Sequence, residues 1–89
     1  MPHQKDAEQR VLGILFLDTK AFHAVNDLLQ ADDFFAEEHQ LIFEAMNHVF
    51  QDQNMYDYLS VSRYLREIHK LDRVGGMEYI YSLSDMMPS

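Results

Sequence analysis

The chain of 89 residues has no cysteine and no tryptophan, only three glycines and two prolines, and few cations. Without cysteine there is no disulfide and no thiolate metal centre. Seven lysines and arginines face 15 acids, for a net charge of −8. That balance argues against a domain that grips nucleic acid by itself, because phosphate contacts need Lys and Arg. No apolar run approaches the roughly 18–20 residues that span a bilayer. The opening "MPHQKDAEQR" is polar and has no signal-peptide core. Together these features place the chain in the cytoplasm as an expectation and predict no membrane contact. What is present is a folding chain: 47% apolar, with five tyrosines and six phenylalanines. A chain of this length makes one domain, 1–89, and buries roughly 60–65% of its unfolded surface. That is enough for one core but not for a deep catalytic cleft with a cofactor.

The apolar period is helical throughout. Val11, Leu12, Leu15 and Phe16 share one face of a first helix, with Asp6 and Gln9 spaced as a capping box. Asp18 or Thr19 is placed to cap a second helix with Phe22, Val25, Leu28 and Leu29 on its apolar face. After the break "QADDFFAEE", a helix over 37–51 is predicted, carrying Leu41, Ile42, Ala45, Met46, Val49 and Phe50. "QDQNMYD" is a second break, and Asp57 caps a fourth helix with Val61, Tyr64, Leu65 and Ile68 inward. "KLDRVGG" is a third break, followed by a helix carrying Met77, Ile80, Tyr81 and Leu83 and ending before Pro88. No segment alternates with the period of a strand. The predicted fold is all-α, a small orthogonal bundle of about five helices.

Motifs of chemistry are weak. Gly75–Gly76 follow no strand and lack the spacing of a phosphate-binding loop, so they read as a turn. His3, His23, His39, His48 and His69 show no HExxH and no converging ligand set. They read as surface or rim residues, with His39 able to reach a backbone carbonyl near its helix start. Asp32–Asp33 and Glu37–Glu38 flank the start of the third helix, where they would cap it and complement its dipole. No serine has a nucleophile context. No catalytic residue, metal or cofactor is expected.

Charge is unevenly spread. Nine acids and one base lie between Asp18 and Asp57, whereas Arg63, Arg66, Lys70 and Arg73 follow at spacings of three, four and three. The spacing puts the first three on one side of the fourth helix. A dipolar domain of this kind suits self-association or a charged partner, although a plain solvated face has the same pattern. Phe34–Phe35 and Met86–Met87 are candidates for a partly exposed docking surface, against core packing as the simpler use of such residues.

In register, "AEQRVLG" at 7–13, Asp18, "DDFF" at 32–35, "HQLIFEAM" at 39–46, Asp57, "LDRVGGMEYIYSL" at 71–83 and "PS" at 88–89 resemble the N-terminal domain of DnaB-type replicative DNA helicases. The resemblance implies a non-catalytic helical domain that packs with its neighbours into the collar of a hexameric ring. It also implies docking of primase and sometimes of a helicase loader. ATP, Mg²⁺ and the DNA-translocating motor would belong to a separate C-terminal domain, preceded by a helical hairpin, so this chain would be a fragment. Gly13 matches the family glycine of the first helix, where a small residue allows close contact; Asp57 and Gly75–Gly76 match the family cap and turn. The chain departs from the family where "QDQNMYD" lacks the usual Gly and Pro, and where "IHK" stands in place of a helix-ending Gly. The alternative is a stand-alone helical adaptor, or the helicase-binding domain of a primase, which is similar in fold.

Overall fold

The structure, a computed structural model, describes residues 2–85, with side chains from Gln4 onward. Met86, Met87, Pro88 and the side chain of His3 therefore lie outside the described residues. Five α-helices follow in order: α1 (Pro2–Leu17), α2 (Thr19–Val25), α3 (Glu37–Gln53), α4 (Tyr58–Glu67) and α5 (Gly76–Asp85). Two 3-10 turns, Ala31–Asp33 and Asp72–Val74, precede α3 and α5. No strand occurs among the described residues, and none of their helices is long and apolar enough to cross a membrane.

The helices enclose one core. α1 packs chiefly on α5, α3 on α4, and α4 on α5. Leu12, Leu15, Ile42, Met46, Leu65 and Ile80 are fully enclosed at its centre. Phe22 sits among the rings of Phe43, Phe50 and Tyr56, at centroid distances of 5.5, 5.1 and 5.3 Å. Tyr56 comes from the loop after α3, and its hydroxyl donates to the Leu15 carbonyl in the last turn of α1. Burial, with the Asp18 charge added, holds the Tyr56 phenol well above its ordinary range, so it stays a donor.

Local chemistry sets most boundaries. Asp18 Oδ1 accepts from the N–H groups of Lys20 and Ala21, at 3.1 and 3.3 Å, and starts α2. Asp57 and Ser60 exchange bonds of 2.8 and 2.9 Å and start α4. Four expectations change. Asp6 and Gln9 lie inside α1, because the helix already begins at Pro2, a residue suited to a first helical position. Val11 is 38% exposed at the flank of α1, because the inward stripe is filled by Leu12 and Leu15. α2 stops at Val25, so Leu28 is 86% exposed instead of on its apolar face. Ile68, expected inward, caps the end of α4 and is 38% exposed.

α4 ends on a non-glycine residue in the left-handed region: His69 has φ of 60°. Lys70 N–H donates to Leu65 O and His69 N–H to Arg66 O, which is the Schellman arrangement with His69 at its left-handed position. A Cβ there carries strain that glycine lacks. His69→Gly is therefore expected to stabilise the domain by about 0.5–1 kcal/mol, since the relief exceeds the extra chain entropy lost. Thermal unfolding checks this, and a lower Tm would reject it.

Candidate interaction surface and the polar network beneath it

A buried polar network joins α1, α3 and α5. Glu8 on α1 reaches the chain entering α3, where its Oε2 accepts from Phe35 N–H at 2.5 Å and its Oε1 from Ala36 N–H at 3.2 Å. The same Oε1 lies 2.7 Å from His39 Nδ1. An ionised carboxylate only accepts, so Nδ1 carries the proton and donates. His39 Nε2 then accepts from the Tyr79 hydroxyl at 2.6 Å, and that oxygen accepts from Gln9 Nε2 at 3.0 Å. The His39 and Tyr79 rings stack at 5.9 Å. Burial opposes ionisation of Glu8 most strongly, but the Phe35, His39 and Ala36 donors together outweigh it and hold the carboxyl below its ordinary range.

This corrects two expectations. His39 is fully buried, not a rim residue, because both ring nitrogens are matched inside the fold. Asp32–Asp33 and Glu37–Glu38 do not cap α3 with their side chains. Its cap residue is Ala36, and Glu8 supplies the acceptor from another helix. Asp33 instead accepts from Gln30 N–H and closes the 3-10 turn, while Glu37 and Glu38 stand in the first turn as dipole partners.

Above the network lies an open apolar groove of about 180 Å³. Ala7, Val11, Leu29 and Phe34 line it together with Glu8 and Asp33. Phe35, next to Phe34 in the chain, is 68% exposed. Phe34, expected to be part of an exposed pair, is only 4% exposed. Its ring packs 5.2 Å from Phe43, so it floors the groove from the core side and presents little to a partner.

The four cations do not form one stripe. Arg63 and Arg66 lie on α4 and are exposed. Lys70 follows the helix end, and Arg73 sits on the 3-10 turn with Nε 3.6 Å from Glu37. The cause is the left-handed His69, which turns the chain before the period can continue. Arg63 shares a small pocket of about 90 Å³ with His48, Tyr64, Asp52 and Glu67, with His48 stacked on Tyr64 at 4.0 Å. Among the described residues no three His, Asp or Glu side chains are grouped to hold a metal.

Both glycines of the pair have positive φ, 102° at Gly75 and 77° at Gly76. Gly76 N–H donates to Leu71 O and Gly75 N–H to Asp72 O, closing the 3-10 turn as α5 begins. Gly13 is buried in α1.

The geometry defines a class first: a small all-α domain with its polar network turned inward and an apolar groove open to solvent. Comparison with known proteins supplies the family. The chain belongs to the DnaB-like helicase N-terminal domain family, whose model matches residues 1–89. It is 39% identical over 88 residues to the replicative DNA helicase DnaB of Buchnera aphidicola subsp. Schizaphis graminum, covering 99% of this chain and 19% of that protein. It is likewise 39% identical to the DnaB of Treponema pallidum, covering 99% and 20%. The chain thus spans about a fifth of these relatives. The crystal structure of the N-terminal domain of DnaB helicase from Mycobacterium tuberculosis superposes with a TM-score of 0.86 at 30% identity, over 93% of this chain and 58% of that one.

Proposed function

We propose that this chain is an assembly and docking domain of a cytoplasmic replicative DNA helicase. In that role it packs against neighbouring copies in a ring collar and presents a surface to primase and to a helicase loader. The observation that carries the reading is the family match over all 89 residues. The fold likeness to a DnaB N-terminal domain supports it independently. ATP, Mg²⁺ and strand separation would belong to the rest of a parent chain of the relatives' length. The contact candidates are Phe35, Arg63, Arg66, Lys70 and Arg73. The network and the glycine turn hold the scaffold under them.

Sedimentation equilibrium over a wide concentration range tests assembly. The expected result is weak, reversible self-association that falls when Arg63→Glu and Arg66→Glu are combined, since rim charges tune such contacts. Amide shifts on titration with a primase helicase-binding domain test docking. A monomer at every concentration together with no primase shift would sink the reading.

A further inference from the structure

We propose that the groove between α1 and the segment before α3 is a docking site for a basic amphipathic segment of another protein. This rests on the docking reading above and names the chemistry of one partner.

The groove is mostly apolar, and exposed apolar groups adjoin its lining residues in the chain. Ala7, Val11 and Ile14 succeed one another at helical steps of four and three, and Val11 and Ile14 are exposed. Leu29 lines the opposite wall, with exposed Leu28 beside it. An apolar groove with exposed apolar residues next to its lining in the chain fits an interaction site better than scattered single residues do. Dry cavities of about 150 Å³ accept a benzene-sized group, so about 180 Å³ accommodates one large apolar side chain.

The patch is held in shape before binding. Glu8 pins the backbone on both sides of Phe35 at Phe35 N and Ala36 N, and Gln40 Nε2 donates to Phe34 O at 2.7 Å. An aromatic ring presented from a fixed backbone loses less freedom on binding.

Charge selects the occupant. Glu8 and Asp33 lie in the lining and Asp32 is exposed on the adjoining 3-10 turn, while Glu37, at the start of α3, is already 3.6 Å from Arg73. Lys5 is engaged with Glu38 at 3.1 Å. Arg10 is exposed at the α1 edge of the patch, three residues from Ala7 and four from Ile14. The side of the rim formed by the 3-10 turn is acidic, on a chain of net charge −8. An isologous contact with a second copy would set Asp32 and Asp33 against their own images, which is repulsive. Nucleic acid and anionic lipid are disfavoured for the same reason. A helix or strand with apolar groups on one side and Lys or Arg on the other complements both features.

The test uses the 89-residue chain labelled with ¹⁵N and three synthetic peptides of equal length: a leucine–lysine amphipath, a leucine–glutamate amphipath and a serine–lysine peptide. The leucine–lysine peptide is expected to shift the amides of Ala7, Val11, Leu29 and Phe35 saturably, and the other two to leave them unmoved. Phe35→Ser and Asp32→Lys, both at exposed positions, are each expected to weaken binding at least about fivefold. Three results would overturn the proposal: equal shifts from the serine–lysine peptide, which mark charge alone; movement of the same amides with protein concentration, which marks a second copy; or variants that bind as tightly as the parent. Assembly is read on the α4 variants by sedimentation and primase docking on its own titration, so a negative result here with positive results there rejects this site and leaves the broader reading standing.

Discussion

Glu8→Ala is expected to destabilise the domain by about 3 kcal/mol, because three donors lose one acceptor and His39 Nδ1–H is left buried without a partner. For a domain of this size that corresponds to a fall in Tm of roughly 12–24 °C. It is also a large share of the roughly 5–10 kcal/mol that holds such a domain folded. Glu8→Gln, which keeps one oxygen acceptor, is expected to lose about half as much. Thermal and urea unfolding decide it. A loss under about 1 kcal/mol, the range of an exposed ion pair, would mean that water replaces Glu8 and the network is not a structural tie.

The same residue sets a pH dependence. The folded-state pKa of Glu8 lies below its ordinary value of 4.5. Its contribution is therefore complete above about pH 4.5 and fades as the pH falls through the lower folded value. Glu38 shifts the same way, through its own backbone N–H first and Lys5 further, against partial burial. The stability difference between wild type and Glu8→Gln isolates Glu8. It should be constant near neutrality and narrow below pH 4.5.

Gly75→Ala is the second large effect. Its φ of 102° strains any residue with a Cβ, and that Cβ would lie 2.9 Å from Tyr79 Cβ. Left-handed strain costs about 1–2 kcal/mol and crowding of a packed side chain about 1–3, so roughly 2–4 kcal/mol is expected. Gly76→Ala meets nothing within 4 Å and has φ of 77°, so only about 1 kcal/mol of strain applies. The displaced ring is the one whose hydroxyl holds His39 and Gln9. Gly75→Ala should therefore shift the His39 ring ¹⁵N resonances, whereas Gly76→Ala should not. Equal costs for the two variants would show that the ring moves freely and that the turn is uncoupled from the network.

Local and tertiary determinants separate residue by residue. The helical period located five helices, and Asp18 and Asp57 marked two starts, because both the period and the cap act within one or two turns. Gly75–Gly76 were legible as a turn because left-handed backbone is a property of single residues. Glu8, His39 and Tyr79 lie in three segments, "AEQRVLG", "HQLIFEAM" and "GGMEY", that carry the family resemblance. Their joint role was still hidden, because they are separated by 31 and 40 positions and meet only through packing of α1 and α5 on the start of α3. Phe34 and Phe35 are chemically identical neighbours, and nothing local says which turns inward. Glu8 decides it by fixing the backbone between them.

By itself, then, the sequence determined an all-α domain, its helix order, its turns and its acidity, since each follows from periodicity, backbone preference or charge count. Only the tertiary structure decided the burial of His39, the capping of α3 by a carboxylate from α1, and the turning of Phe34 inward with Phe35 left exposed. Those features arise where separate helices meet, and the free energy that selects them belongs to contacts between residues far apart in the chain.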